Sequence, residues 1–253
     1  TINSLTYQQS STTNTKAHDL SANKLNYHFV NIASKIIDND KSATNVLSLL
    51  KEFCKTKNIN TSLSIPPITI FEVFNSLVKL EQTNAKGING IDGKIIKLCA
   101  PYITDSLTYI FNLCIDKNYF PKAFKTSKII PLYKSGDINE PSNYRPISVL
   151  SVLSKPLEQH IKRHILSHTT KFNLIHPKQS GYREKHSCHT SLIKLVDKWL
   201  SNIKNDAFTG VVFVDFAKAF DTLDHSLLLQ KLSVYGFSTN TVSLIASLVN
   251  NRQ

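Results

Sequence analysis

The chain has 253 residues, 41% of them hydrophobic, and its 30 Lys and Arg against 18 Asp and Glu give a formal net charge of +12. Thirteen Phe, nine Tyr and abundant aliphatic residues supply enough apolar area to offset ordering entropy, so disorder is disfavoured and one large domain or two small ones are expected. No apolar run approaches the roughly 20 residues of a bilayer-crossing helix, and the polar stretch Ser10 to Thr13 lacks the apolar segment of a secretory signal, so membrane and secretory classes are not expected. Cys54, Cys99, Cys114 and Cys188 lie far apart without a C-x-x-C pair, which speaks against a zinc ribbon or disulfide scaffold and for a reducing compartment. Methionine is absent, position 1 included, so a fragment or processed piece is expected.

The charge is concentrated. Residues 117–204 hold 16 basic and five acidic residues, a net of +11, whereas 1–116 carry +2 and 205–253 carry −1. Such a stretch attracts phosphate backbones through counterion release, although a solvated basic face would look the same by charge alone.

In chain order, residues 1–20 are polar and aperiodic and predict a loose leader. Leu25, Phe29, Ile32, Ala33 and Ile36 fall on one helical face, and a second helix is expected near Val46 to Phe53. After a polar linker to Pro66 and Pro67, Thr69 and Glu72 have the spacing of a capping box that opens a helix bearing Phe71, Phe74, Leu77, Val78 and Leu80. Gly87, Gly90 and Gly93 mark a turn before helical segments at Ile95 to Leu98 and Tyr102 to Asp116.

The run Ser127 to Lys134 contains Pro131, which restricts it to a sheet edge or strand end. A turn at Lys134 to Asp137 leads to Asn143-Tyr144-Arg145-Pro146, held extended by the proline. Helices are expected from Leu153 to His168 and from Ser187 to Ile203, separated by a loop from Pro177 to Lys185. Gly210-Val211-Val212-Phe213-Val214-Asp215 reads as a strand buried on both faces that ends in an acid. Asp224 is placed to cap a helix through Leu227, Leu228 and Leu232 that Gly236 terminates. Helix and strand mixed in this order predict an α+β fold, with helices dominating the first hundred residues.

A carboxylate at the exit of a buried strand suits magnesium, which takes one or two protein carboxylates and completes its shell with water and phosphate. Alone, Asp215 decides little, since a plain capping role is as common. Its neighbourhood decides more. Val214-Asp215-Phe216-Ala217-Lys218-Ala219-Phe220-Asp221 resembles the first catalytic motif of the reverse transcriptases of retrotransposons lacking long terminal repeats. Gly90-Ile91-Asp92-Gly93 resembles the family's amino-terminal glycine motif, and Phe120-Pro121 through Ile130-Pro131-Leu132-Tyr133-Lys134-Ser135-Gly136-Asp137 its first fingers motif. Asn143-Tyr144-Arg145-Pro146-Ile147-Ser148 resembles the second, and Gln179-Ser180-Gly181-Tyr182-Arg183, followed by His186-Ser187, the third. The blocks stand in the family's order and spacing from about residue 85 onward, with a fainter similarity at Asn26 to Ala33.

The resemblance implies the fingers and a partial palm of a right-hand polymerase: a helical extension or linker over 1–84, fingers over 85–209, and a partial palm over 210–253. It implies an RNA-directed DNA polymerase working by two-magnesium nucleotidyl transfer, with an RNA template, a DNA primer and deoxynucleoside triphosphates as partners and the nucleus as the expected location. Asp215 would be the catalytic and metal-binding acid, activating the primer hydroxyl and stabilising the pentacovalent phosphate. Phe220 resembles the steric gate, a ring placed where a ribose 2′-hydroxyl would go. Phe216 and Ala217 would neighbour the nucleotide and the second metal. Lys134 and Arg145 would reach the triphosphate, where cations offset the charge building on pyrophosphate. Gln179, Gly181 and Arg183 would contact the template.

His160, His164 and His168 recur every fourth residue, a spacing that can hold a metal. No acid or cysteine completes such a site, so a basic helix face beside nucleic acid is the preferred reading. His176, His186, Cys188 and His189 read as loop residues near the template. The family's second acidic site, an Ala-Asp-Asp sequence, has no counterpart, because no Asp or Glu follows Asp224. A chain cut inside the palm and inactive alone is therefore expected. A non-catalytic nucleic-acid-binding relic or domesticated scaffold predicts the same basic stretch without demands on Asp215 or Phe220. A magnesium-dependent phosphohydrolase built on Asp215 and Asp221 would leave the other blocks unexplained.

Overall fold

The computed structural model describes residues 20–31, 43–81, 86–216 and 218–250. Its elements run α1 (Ala22–Val30), α2 (Ala43–Lys55), α3 (Ile70–Val78), α4 (Gly93–Asp116), α5 (Lys122–Lys125), β1 (Lys128–Tyr133), β2 (Tyr144–Val149), α6 (Lys155–Lys171), α7 (Cys188–Lys204), α8 (His225–Val234) and α9 (Thr239–Val249). Mixed helix with a small two-stranded sheet agrees with an α+β class. The expected leader and the helical positions Ile32, Ala33 and Ile36 lie outside the described residues.

The core forms on one stripe of α4, where Ile96, Ala100, Leu107, Phe111 and Cys114 are buried at spacings of three, four and seven residues. Val73 and Leu77 of α3, Leu157 and Ile161 of α6, Phe120, Phe124 and Leu244 of α9 join the same cluster. The two helical segments expected around Pro101 are one helix. Pro101 sits on the exposed face and forfeits one backbone bond there, while the buried stripe on the other side holds both halves in line.

Local signals fixed several ends. Thr69 and Glu72 make both hydrogen bonds of the capping box. Phe71, on the same helix, is 73% exposed, because Val73 and Leu77 set the face that turns inward. Asp224 accepts from the Leu227 N–H, and α8 is followed by Gly236 at φ +81°, a left-handed conformation suited to glycine.

Residues far apart in sequence are tied by polar contacts. The Asn112 side chain accepts from the Ile68 N–H at 2.8 Å and donates to the Ile68 carbonyl at 3.0 Å. The Thr241 hydroxyl accepts from the Ile65 N–H and donates to the Leu63 carbonyl. Buried Lys125 donates to the carbonyls of Ser247 and Asn250 at the end of α9, where the helix dipole favours a cation.

Strands β1 and β2 form an antiparallel hairpin that pairs Pro131 with Pro146 and Leu132 with Arg145. The Lys134 N–H continues the ladder to the Asn143 carbonyl, so 132–145 is a hydrogen-bonded pair and the two prolines face each other at a non-hydrogen-bonded one. Each ring therefore replaces an N–H that would point away from the partner strand.

Two expectations fail. Residues 211–214 form no strand, and Val212, Phe213 and Val214 are 87%, 81% and 76% exposed. A strand needs a neighbour for its backbone, and among the described residues β1 and β2 pair only with each other. The histidines of α6 are not a basic face either. His160 and His168 are buried, and their Nε2 atoms lie 2.8 Å from the carbonyls of Pro66 and Tyr235, to which they donate. The His160 Nδ1 accepts from Arg163, whose guanidinium also pairs with Glu72. These rings brace α6 against the Pro66 and Tyr235 segments instead of facing solvent.

Burial pushes the pKa of His160 down from the ordinary 6.5. It does the same for His164, whose Nε2 is buried without a partner among the described residues. Burial thus disfavours the charged form of both rings in the fold, and the unfolded chain takes up protons first as pH falls below 6.5. The urea midpoint should be highest above that pH and lower at pH 5.5, and an equal midpoint at both would contradict the assignment. Phe111→Ala, at the centre of the core, should lower the unfolding free energy by about 3–5 kcal/mol, read from urea denaturation.

Candidate nucleotide and template site

The hairpin places two cations together by register alone. Arg145 lies opposite Leu132, so both point to one face, and Lys134, two residues after Leu132, shares it. Both cations are exposed, and neither joins an ion pair among the described residues. Behind them, on the other face, Tyr133 packs against Tyr144 with ring centroids 5.5 Å apart, and their hydroxyls donate to the carbonyls of Gly136 and Ile138. That packing fixes the turn from which Lys134 projects.

The loop between α6 and α7 carries the second group. Gln179 closes a turn onto the His176 carbonyl and accepts, through its own carbonyl, a long 3.4 Å hydrogen bond from Arg183. Tyr182 and Lys185 hold positive φ values of 58° and 61°, conformations sparsely used by residues with a β-carbon. A β-carbon on Gly181 would meet open space, so no contact within the chain demands glycine there. His186 is anchored by its Nδ1 to the Ser180 hydroxyl at 3.3 Å and His176 is exposed in the loop, whereas Cys188 and His189, read from the sequence as loop residues, stand exposed in the first turn of α7, because Ser187 caps that helix.

The segment after Val214 supplies the third group. Asp215 is exposed and makes no hydrogen bond or ion pair among the described residues, and Phe216 is 77% exposed. Ala217 lies outside the described residues. Phe220 meets the edge of Tyr182, with centroids 6.0 Å apart and planes at 85°. This contact joins the loop read as template-binding to the ring read as a sugar gate. No hydrogen bond or ion pair links Asp215 to Lys134 or Arg145 among the described residues. The structure thus unites Tyr182 with Phe220 and Lys134 with Arg145, but leaves the two pairs unconnected by such contacts.

A divalent ion finds one free carboxylate in Asp215, with no group of three metal-ligating side chains gathered among the described residues. That donor chemistry fits an ion shared with substrate phosphates, because magnesium keeps waters and needs only one or two protein carboxylates. Tyr182 was the functional candidate that sequence reasoning passed over as a site residue. Its signal is its place between Gln179 and Arg183 in the segment that resembles the third fingers motif.

Residues 132–253 match the family model of the reverse transcriptase (RNA-dependent DNA polymerase). The chain is 33% identical over 171 residues to the RNA-directed DNA polymerase from mobile element jockey of Drosophila melanogaster, an alignment covering 67% of this chain and 19% of that protein. It is 33% identical over 174 residues to the jockey counterpart of Drosophila funebris, with the same coverage of 67% and 19%. The Pol polyprotein of type-1 retrotransposable element R2 of Popillia japonica is 26% identical over 136 residues, which is 53% of this chain and 18% of that protein. The chain therefore spans about a fifth of the length of these relatives. Over the matched residues 132–253 the chain belongs to the reverse transcriptase family, and its relatives are the proteins of non-LTR retrotransposons.

Proposed function

We propose that this chain supplies the nucleotide-gripping and template-contacting part of an RNA-directed DNA polymerase of a non-LTR retrotransposon. In this reading 85–209 form the fingers of a right-hand polymerase, 210–253 part of its palm, and 1–84 a helical extension. The observation that carries the reading is the edge-to-face contact of Tyr182 and Phe220, which sets two separately read motifs side by side in space.

Each residue then has a physical task. Lys134 and Arg145, side by side on the hairpin face, hold the triphosphate of the incoming deoxynucleotide, the guanidinium gripping two oxygens and the ammonium acting as a point charge. Phe220 excludes a ribose 2′-hydroxyl by volume. Tyr182, packed on it at an exposed turn, limits how far that ring swings. Gln179, Gly181 and Arg183 run beside the template, and the open space at Gly181 leaves room for a strand to approach. Phe216 and Ala217 flank the nucleotide. Asp215 would hold magnesium together with substrate phosphates, and the ion supplies Lewis-acid stabilisation of charge at the reacting phosphate.

A binding relic would make no use of Asp215 or Phe220, so catalysis separates the readings. Primer extension on an RNA template with magnesium and deoxynucleotides should give no product from the 253-residue polypeptide, which has no Asp or Glu after Asp224. A longer polypeptide from the same reading frame that includes an Ala-Asp-Asp sequence should give product, and Asp215→Asn should abolish it. Product from that variant would refute the assignment. In the same longer polypeptide, Phe220→Ala should admit ribonucleotides that the parent rejects. Replacing Lys134 alone by Ala should weaken triphosphate binding by roughly ten- to a hundredfold, the range expected for a lost charge-assisted hydrogen bond, and replacing Arg145 as well should weaken it further.

A further inference from the structure

Helix α4 buries one side and leaves the opposite side bare. Ile95, Leu98, Tyr102, Tyr109 and Leu113 recur at intervals of three, four, seven and four residues, the spacing of a single helical face, half a turn away from Ala100, Leu107 and Phe111. Leu98, Tyr102 and Tyr109 are 77%, 86% and 71% exposed, and no described residue covers them. Five large apolar or aromatic side chains in one row present several hundred Å² to water, the size of patch that marks an interaction surface.

The stripe reads the same from either end. From the point between Asp105 and Ser106, the tyrosines Tyr102 and Tyr109 stand at equal distances in the two directions, and so do the leucines Leu98 and Leu113. A twofold axis through that point, perpendicular to the helix, sets α4 antiparallel to its copy. It brings Tyr102 against Tyr109 of the second copy and Leu98 against Leu113, each contact made twice. Such self-complementarity is what an isologous interface requires.

Charge favours the same face. A chain of net charge +12 repels its copy over much of its surface, but residues 93–116 hold two Lys and two Asp, which sum to zero. The axis also brings Lys94 near Asp116 of the second copy at both ends of the stripe; within its own chain Asp116 pairs at the surface with Lys117. Each helix N-terminus then lies beside the C-terminus of the other, an attractive arrangement of dipoles. Asp105 alone opposes pairing, because it falls beside its own copy at the axis. Helix α7 exposes Leu192, Leu200 and Ile203 as well, yet it carries three Lys against one Asp and would meet its copy with like charge.

We propose that the chain forms a symmetric homodimer by antiparallel packing of α4 on α4, about an axis between Asp105 and Ser106. The contact needs no metal, nucleotide or template and stands independently of the polymerase reading. Its area falls below the about 800 Å² per partner of a standard interface, so the dimer should dissociate within the micromolar range.

The test is sedimentation of the 253-residue polypeptide across that concentration range, where a monomer–dimer equilibrium is expected. Tyr102→Ser with Tyr109→Ser should weaken association at least a hundredfold, since buried aromatic anchors carry most of the energy of such contacts. Leu192→Ser with Leu200→Ser, on α7, should leave it unchanged. Asp105→Asn should tighten it about threefold by removing one like-charge contact in water. Register is read by cross-linking in a Cys99→Ser, Cys188→Ser background. Leu98→Cys mixed with Leu113→Cys should give a disulfide-linked dimer under oxidation, and either one alone should not, because like positions lie about 22 Å apart across the axis. A monomer at every concentration, association that survives the tyrosine replacements, loss caused by the α7 replacements, or a link formed by Leu98→Cys alone would each overturn the proposal.

Discussion

The buried stripe of α4 is the constraint on which the rest of the molecule depends. Phe111 and Ala100 are wholly enclosed, and the helix they stand on is gripped from both ends of the chain. Asn112, on the flank of that stripe, holds the Ile68 backbone by both of its hydrogen-bonding groups. Residues 63–65 in turn hold Thr241, and Lys125 holds the end of α9. Described residues from Ile65 to Leu80, from Ile96 to Ile161 and at Leu244 therefore share one core. The hairpin and the α6–α7 loop stand outside that core, with Lys134, Arg145 and Arg183 in no ion pair among the described residues.

Helix α6 shows how one segment serves both ends. Its inner face carries Leu157, Ile161 and two histidines that give their ring protons to backbone carbonyls. Its outer face carries Lys162 and Lys171 beside a cavity of about 850 Å³. The two faces are electrostatically opposed. Burial disfavours the charged form of the His160 ring, while the lysines remain in contact with solvent.

What could be read from the sequence was mostly local. The capping box at Thr69, the cap at Asp224, the proline-marked edge strand and the extended Arg145 are short-range consequences of side-chain chemistry, and each is present. What could not be read depended on distant partners. The histidines of α6 have the spacing of a ligand set or a basic face, and only the arrival of Pro66 and Tyr235 makes them core residues. Residues 211–214 have the composition of an interior strand, yet composition cannot supply the neighbouring backbone that a strand requires. Among the site residues, the shared face of Lys134 and Arg145 follows from strand register. The meeting of Tyr182 with Phe220 joins two loops distant in sequence, with Tyr182 in a left-handed backbone conformation that its residue type does not announce.

The opposed prolines of the hairpin bear on more than its pairing. Pro131 and Pro146 stand at the same level on opposite outer borders of the ribbon. A third strand arriving from either flank would find no amide hydrogen at mid-length to bond with. Neither border of the ribbon therefore offers an unbroken row of amide donors, which disfavours edge-to-edge recruitment of a foreign strand and fibrous self-association.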